Sequence, residues 1–267
     1  MSRPFASAGL RQDPAAPLTW FSFAAPANFY RLAGSLAPAF TLAALAFALA
    51  GLYMGFFVAP TDATQGEVYR IIFIHVPAAW LSMVLYCAMA FWSALGWLLN
   101  ARMAFILARA IAPTGALFTL LALWTGSLWG RPTWGTWWVW DARLTSELIL
   151  LFLYLGYMAL VSAIDDVRRA DRAGAILAVV GVVNVPVIYF SVVWWNTLHQ
   201  GATLTMGAAP KMASTMLWAM LLLTLACWAY AFAVVCVRAR ALVLEREGST
   251  AWARGLIEQA ATDRQGT

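Results

Sequence analysis

Residues 77–99 read PAAWLSMVLYCAMAFWSALGWLL, a run without a single charged side chain. Its length is close to the roughly 20 residues that a helix needs to cross the hydrocarbon of a bilayer. The run does not alternate apolar and polar residues as a half-buried strand does, and a helix satisfies its backbone hydrogen bonds internally. It therefore predicts a transmembrane helix.

Five further runs of this kind lie on either side of it. The chain has 267 residues, of which 63% are hydrophobic and 11% charged, and its mean hydropathy is +0.75. This composition is typical of a polytopic membrane protein. We predict an all-α integral membrane protein, a bundle of six transmembrane helices, with spans at Ala37–Ala59, Pro77–Leu99, Ala110–Leu128, Leu144–Ile164, Gly174–Trp195 and Met212–Val237. Residues 37–237 then form the membrane domain, between an N-terminal segment, residues 1–36, and a tail, residues 238–267.

The basic residues predict the orientation in the lipid bilayer. Six spans place both termini on one side, and the segments of that side carry 13 of the 17 basic residues. The positive-inside rule makes it the cytoplasmic side. The net charge of +5 is scattered without a basic run, so we expect no nucleic-acid binding. The basic residues assigned to the cytoplasm are Arg3, Arg11, Arg31, Arg102, Arg109, Arg168, Arg169, Arg172, Arg238, Arg240, Arg246, Arg254 and Arg264.

A tryptophan-rich stretch, LWGRPTWGTWWVWDAR at residues 128–143, is the predicted loop between spans three and four on the opposite side. Such a density of large flat rings indicates a wall for a flat apolar ligand. The alternative is an aromatic belt at the membrane surface. The tryptophans of the stretch are Trp129, Trp134, Trp137, Trp138 and Trp140.

The chain contains only two histidines, and both fall on the same side as the tryptophans. His75 closes the predicted loop before span two, and His199 follows span five and the pair Trp194-Trp195. Two imidazoles held at the mouth of a bundle can bind a haem iron from opposite faces of the macrocycle. The alternative is that each is an ordinary polar residue at the membrane interface.

Three of the four cations on this side lie near the histidines or tryptophans: Arg70, Arg131 and Arg143. A planar guanidinium suits the carboxylates of haem propionates, although interfacial anchoring remains the alternative.

Three polar residues and one proline in or beside the spans have structural interpretations. Asp141 is placed to cap the N-terminus of span four, to hold a tryptophan N–H or Arg143, or to do both. Glu147 lies one turn into that span, and we expect it to pair with Arg143. Asn184 and Pro186 predict a kink with an internal hydrogen bond in span five. We interpret the methionines as packing residues.

Several functional classes are disfavoured by what the sequence lacks. No histidine falls within the predicted spans, and no chain of carboxylates crosses them, which argues against transmembrane electron carriers and ion-coupled carriers. There is no phosphate-binding glycine loop, so we expect no use of ATP by this chain. The three cysteines form no CxxC motif, which argues against a covalently attached haem.

Three segments together resemble the tryptophan-rich (WWD) family of haem-handling proteins of cytochrome c maturation, and most closely its haem exporter protein C (CcmC) branch. They are WGTWWVWDARLT at 134–145, IHVPAA at 74–79 and WWNTLHQG at 194–201. The resemblance extends from about Phe40 to Val237 and includes the number of spans.

The resemblance implies a bacterial inner-membrane protein that binds haem b at its periplasmic face, with His75 and His199 as axial ligands of the iron. Its partners would be the periplasmic haem chaperone CcmE, the ABC transporter formed by CcmA and CcmB, and the small protein CcmD. A transfer component of this kind is not an enzyme. The alternatives are a haem permease and a haem lyase or reductase. The predicted haem-binding residues are His75, His199, Trp129, Trp134, Trp137, Trp138, Trp140, Asp141, Arg70, Arg131, Arg143, Trp194 and Trp195.

Overall fold

The structure, a computed structural model, describes residues 25–195, 197–199 and 212–265. In this part of the chain all the secondary-structure elements are helices, and six helical segments are long and apolar enough to cross a membrane. The predicted all-α membrane fold with six spans is confirmed. Of the N-terminal segment expected at residues 1–36, residues 1–24 lie outside the described residues.

Eight α-helices make up the described fold. The helix α1 continues into a π-helical turn, Met54–Val58, and a 3₁₀ turn, Glu67–Ile71, leads into α2. The fifth span is formed by α5 and α6 together. The helices are α1 Pro26–Tyr53, α2 Ile72–Leu99, α3 Arg102–Trp134, α4 Ala142–Ala163, α5 Val167–Gly181, α6 Asn184–Trp194, α7 Ser214–Glu247 and α8 Ala251–Gln265.

The helices are longer than the apolar runs that predicted them. The helix α1 begins at Pro26 instead of Ala37, and α7 continues to Glu247 instead of ending at Val237. A helix continues for as long as its backbone bonds are made, whereas hydropathy marks only the part suited to hydrocarbon. The limits at residues 37 and 237 therefore fall inside helices, and the predicted tail contains the end of α7 and all of α8.

The centre of the bundle is closely packed because small residues face large rings. A Cβ atom placed on Gly115 of α3 would lie 2.2 Å from the ring of Tyr154 in α4. The fully buried Tyr154 donates its hydroxyl hydrogen to the backbone oxygen of Ser82 at 2.8 Å. Small residues of this kind let transmembrane helices approach closely, which is how they gain packing energy in lipid. The contact fixes α4 against α2 and α3.

The fifth span is interrupted where the sequence predicted a kink. The helix α5 ends at Gly181, and α6 begins at Asn184, two residues before Pro186. The side-chain amide of Asn184 donates a hydrogen bond of 2.9 Å to the backbone oxygen of Ser146 in α4. The kink and its internal bond are both confirmed. The interruption lets α6 pack along the first turns of α4.

An ion-pair cluster joins three helices at one end of the bundle. Asp171 of α5 receives two hydrogen bonds, of 2.7 and 2.9 Å, from the guanidinium of Arg246 in α7. The Nε atom of Arg109 in α3 lies 3.0 Å from the same carboxylate. The Asp171 side chain is only 7% exposed, so this carboxylate balances the charges of two arginines away from bulk water.

We predict that Asp171→Asn lowers the stability of the folded domain. The substitution leaves two guanidinium groups beside a neutral amide, and breaking a buried pair by removing one partner is costly. Because both arginines keep some exposure, we expect a loss of about 2–4 kcal/mol in the free energy of unfolding. Denaturant unfolding in detergent micelles measures the change.

The exposed Asp165 provides the control for this experiment. We expect Asp165→Asn to change the free energy of unfolding by less than about 0.5 kcal/mol. Equal stability losses in the two variants would show that the Asp171 cluster does not hold the helices together.

Candidate functional site

A cavity of about 450 Å³ lies at the other end of the bundle, and we call it the histidine cavity because both histidines line it. Its walls come from α2, the last turns of α3, the first turns of α7, the start of α4 and the segment after α6. The volume is within the range of roughly 300–1,000 Å³ that is usual for sites of small organic ligands. Besides His75 and His199, its lining includes Trp129, Trp134, Arg143 and Met216.

The first histidine belongs to a helix. His75 lies in the first turn of α2 and not in the loop before it, because α2 begins at Ile72. Its Nδ1 atom lies 3.0 Å from the hydroxyl oxygen of Thr125 in α3. Its ring meets the ring of Trp129 edge-on at 5.7 Å. These contacts fix the imidazole on two sides.

The Thr125 hydroxyl decides which His75 nitrogen carries the hydrogen. Its oxygen lies 2.6 Å from the backbone oxygen of Leu121, which can only accept, so the hydroxyl hydrogen is donated there. The hydroxyl must then accept from Nδ1–H of His75. The Nε2 atom keeps its lone pair and can bind a metal, the arrangement usual for histidine ligands held through their other nitrogen.

The second histidine lies outside the helices, in the described segment 197–199 that follows α6. Its ring packs on Trp134 with centroids 4.9 Å apart. Its Nδ1 atom is 3.9 Å from the Oδ2 atom of Asp141, and both of these buried atoms lack a hydrogen-bond partner. Since a carboxylate only accepts, this approach favours Nδ1–H towards Asp141 and again leaves Nε2 with its lone pair.

The surroundings of His199 also favour its neutral form. Burial and the nearby charge of Arg143 lower the pKa of the His199 imidazole from 6.5 to about 4, while the Asp141 carboxylate opposes this shift. Above about pH 5 the ring is therefore neutral, which is the state that a metal ligand requires.

Asp141 has two roles, one of which the sequence predicted. Its Oδ1 atom accepts a hydrogen bond of 2.8 Å from the backbone N–H of Leu144, so Asp141 caps the N-terminus of α4 as expected. Its Oδ2 atom faces His199 instead of a tryptophan N–H or Arg143. The helix cap thus places a carboxylate oxygen beside a candidate ligand.

The tryptophans divide into two groups because α3 continues through Trp134. We expected the whole stretch, residues 128–143, to be a loop, but its first part, as far as Trp134, is helical. Trp129 and Trp134 project from these last turns into the cavity, and the Nε1 atom of Trp129 donates a hydrogen bond of 2.7 Å to Gln65. The helix ends at Trp134. The chain leaves the helix at its C-cap, Gly135, whose φ of 79° is left-handed.

The remaining predicted tryptophans do not line the cavity. Trp137 is 54% exposed and Trp140 is 76% exposed, while Trp138 packs edge-on against Trp140. Trp194 and Trp195 lie at the end of the fifth span and are each about half exposed. We call these five residues the exposed tryptophans, of which Trp138 is only partly exposed. They lie on segments that lead directly to Asp141 and to His199.

Of the three predicted arginines, only Arg143 lines the cavity. Its Nη1 atom donates a hydrogen bond of 2.7 Å to the backbone oxygen of Ile188, and among the described residues no carboxylate forms an ion pair with it. Arg70 instead pairs with Glu67 and with the backbone oxygen of Gly55. The exposed Arg131 bonds to the backbone oxygen of Gly135.

The expected pair between Glu147 and Arg143 is wrong. Glu147 is buried, and its Oε1 atom forms a hydrogen bond of 2.7 Å with the hydroxyl of Ser82 in α2. The Arg143 guanidinium reaches α6 instead, where the backbone oxygen of Ile188 is available. The correct spacing on one helix does not make a pair when each side chain has a closer partner on a neighbouring helix.

Sequence reasoning missed several residues of the site. Thr125 lies 50 positions from His75 inside an apolar run, so no local pattern signals its role. Met212, Met216 and Met220 line the cavity, whereas we interpreted the methionines as packing. Met216 and Met220 are four residues apart on one face of α7, and Met212 precedes this helix. The spacing of four residues was an available signal, but it is equally typical of a core. The other missed lining residues include Gln65, Tyr69, Trp80, Met83 and Tyr189.

We predict that Thr125→Val changes the tautomer balance of His75. Valine keeps the shape of threonine but cannot accept a hydrogen bond from Nδ1–H, so the preference for that tautomer is lost. The ¹⁵N chemical shifts of the ring nitrogens in histidine-labelled protein measure the change. Thr119→Val is the control, because Thr119 is bonded to Gly115 in the same helix. An unchanged His75 spectrum in Thr125→Val would contradict the assigned tautomer.

Comparison with known proteins identifies the family. The family profile described as Heme exporter protein C, CcmC, matches residues 19–254. The chain belongs to the Heme exporter protein C family. The family protein of Escherichia coli (strain K12) is 45% identical over 240 residues, which cover 90% of this chain and 96% of that protein. The Haemophilus influenzae protein is 43% identical over 241 residues, which cover 88% of this chain and 96% of that protein. The Bradyrhizobium diazoefficiens protein is 51% identical over 187 residues, covering 70% of each chain.

The family resemblance drawn from three short segments is therefore confirmed, and the match covers almost all of the described chain. Among the described residues no group of three or more histidine, cysteine or acidic side chains is placed to hold a bare metal ion.

Proposed function

We propose that this chain binds haem b in the histidine cavity and delivers it to the periplasmic haem chaperone CcmE during the maturation of c-type cytochromes. The observation that carries the proposal is that two histidines line one cavity, each with Nδ1 directed at an oxygen atom and Nε2 left free. Haem iron already has four nitrogen ligands from its macrocycle, so two imidazoles complete its coordination.

The cavity walls suit the rest of the haem molecule. Trp129 and Trp134 offer ring faces and edges beside the two histidines, and the methionines of α7 offer polarisable apolar contacts. Arg143 is a cation without a carboxylate partner among the described residues, and we propose that it binds a haem propionate. Arg70 and Arg131 already have other partners, so they are second choices for the remaining propionate.

We assign a different task to the exposed tryptophans: Trp137, Trp138, Trp140, Trp194 and Trp195. Large apolar rings that are half exposed beside a ligand cavity are typical of a contact surface. We propose that they support the exposed haem edge and meet the chaperone there. The ABC transporter formed by CcmA and CcmB, together with CcmD, would complete the assembly in the membrane.

The orientation follows from the distribution of basic residues. The Asp171 cluster lies at the end of the bundle whose segments carry most of the arginines, and the histidine cavity lies at the opposite end. With the positive-inside rule, this supports our proposal that the cavity faces the periplasm of a bacterial inner membrane and that both termini are cytoplasmic.

Haem permease and haem lyase or reductase remain the competing functions. A permease needs a route through the whole bundle, whereas the cavity is confined to one end of the described part. A lyase or reductase needs a nucleophile or a second redox centre, and no cysteine is among the residues that line the cavity. Haem transport into liposomes containing only this protein would favour the permease. A covalent haem–chaperone product from the purified pair would favour the lyase.

We predict that His75→Ala and His199→Ala each convert bound haem from a six-coordinate, low-spin form to a five-coordinate form, with a lower haem content. Removing one imidazole leaves one face of the iron without a protein ligand. The absorbance spectrum of the protein purified in detergent measures the change. Added imidazole should restore the six-coordinate spectrum, because it replaces the missing side chain. Spectra equal to that of the wild type in both variants would refute the ligand assignment.

We also predict that Arg143→Gln weakens haem binding by about 10- to 100-fold, because a charge-assisted bond to a propionate is lost. Equilibrium haem titration measures the affinity. Arg131→Gln is the matched control: Arg131 is exposed and bonded to Gly135, so its replacement should change the affinity by less than about threefold. Equal losses in the two variants would mean that Arg143 is not the propionate partner.

A further inference from the structure

Glu147 is the one acidic side chain that is buried within the membrane-spanning part of α4. Only 6% of it is exposed, and in the described part of the chain no arginine, lysine or histidine forms an ion pair with it. An ionised carboxylate in such a place lacks both water and a counter-charge, which is costly. The function proposed above makes no use of this group.

The hydrogen bonds around Ser82 can accommodate Glu147 in either protonation state. The Ser82 hydroxyl oxygen lies 2.8 Å from the backbone oxygen of Ala79 and 2.7 Å from Oε1 of Glu147. A hydroxyl has only one hydrogen, and a backbone oxygen can only accept. When Ser82 donates to Ala79, the second bond is complete only if Glu147 carries a hydrogen and donates it to Ser82. The Ser82 hydroxyl can therefore serve either form: it donates its hydrogen to an ionised carboxylate, or donates it to Ala79 and accepts from a neutral carboxylic acid.

The charges that act on Glu147 come from a single direction. Arg143 lies four residues earlier on the same helix, one turn nearer the cavity, and favours the ionised form. From α2, Ser82 and Tyr86 are the polar groups on this side, and Tyr154 of α4 bonds to the Ser82 backbone. From α6, Asn184 bonds to Ser146. The charged residues of α3 and α5 lie near the ends of those helices: Arg102, Arg109, Arg131, Arg168, Arg169, Asp171 and Arg172.

We propose that Glu147 is a proton-binding site coupled to haem through Arg143: it takes up one proton when haem binds and releases it when haem leaves. With the cavity empty, the uncompensated charge of Arg143 favours ionisation of Glu147. A propionate on Arg143 cancels that charge, so an O–H bond forms on Glu147 with a proton drawn from water. Delivery of haem restores the charge and returns the proton.

This inference rests on the proposed function for its ligand, but its first test needs no haem. Infrared spectroscopy of the detergent-purified protein detects the carbonyl stretch of a protonated carboxylic acid. We expect a band that titrates between about pH 5 and pH 9, is absent in Glu147→Gln and persists in Glu245→Gln, an exposed control on α7. Ser82→Ala should shift its frequency, because the acid loses its hydrogen-bond partner.

The same titration on haem-loaded protein tests the coupling. We expect the midpoint of the band to rise by about one pH unit or more, since an opposing charge is neutralised nearby. Between the midpoint of the empty protein and that of the haem-loaded protein, haem affinity should increase up to about tenfold for each pH unit of acidification. That slope should vanish in Glu147→Gln and remain in Glu245→Gln.

Each outcome decides a separate point. Absence of a Glu147 band across this range would overturn the proton site, whether or not haem binds. A band with the same midpoint in the empty and loaded proteins, or equal affinity slopes in wild type and Glu147→Gln, would overturn the coupling. A wild-type protein that takes up no haem would refute the proposed function, while the titration of the empty protein would still decide the protonation of Glu147.

Discussion

The geometry of the histidine cavity depends on an oxygen atom that lies beside the Nδ1 atom of each imidazole. For His75 the acceptor is Thr125, whose own hydrogen is committed to a backbone oxygen of its helix. For His199 the facing atom is the second carboxylate oxygen of Asp141, whose first oxygen caps α4. In both cases a group that serves the helix also orients a side chain in the cavity. The two Nε2 atoms keep their lone pairs, and in the function proposed above they are the ligands of the haem iron.

The two histidines are nevertheless held differently. His75 is part of a helix and has a hydrogen bond of 3.0 Å to a neutral hydroxyl, whereas His199 lies beyond the end of α6 and faces a carboxylate at 3.9 Å. A carboxylate behind an imidazole increases its basicity as a ligand. Under the proposed function, one haem ligand would lie on a rigid helix and the other on a separate segment, an arrangement that would suit binding followed by release.

Inside the bundle, polar groups are matched between helices because hydrocarbon offers them no water. Asn184 bonds to the backbone of Ser146, and Tyr154 bonds to the backbone of Ser82. Arg143 differs from these residues, because it is a cation whose only described hydrogen-bond partner is a backbone oxygen. An anionic ligand bound to Arg143 would give this cation a charged partner. The change in charge would act on Glu147, which lies one turn away.

Much of the fold was predictable from local patterns. The six apolar runs predict the spans because hydropathy over about 20 residues reports directly on transfer into lipid. The cap at Asp141 and the kink at Asn184 follow from short-range chemistry, and both are present. Helix ends were less accurate: the same local information did not show that α3 continues to Trp134, which separates two cavity tryptophans from three exposed ones.

The sequence alone determined that the chain is a six-span helical membrane protein with two histidines and a tryptophan cluster on the same side, because these depend on composition and order along the chain. Only the tertiary structure decided which side chains meet. Thr125 reaches His75 across 50 residues, and Glu147 reaches Ser82 across 65, instead of its helix neighbour Arg143. Such contacts depend on the rotation and spacing of packed helices, which are set by interactions along the whole length of each helix pair.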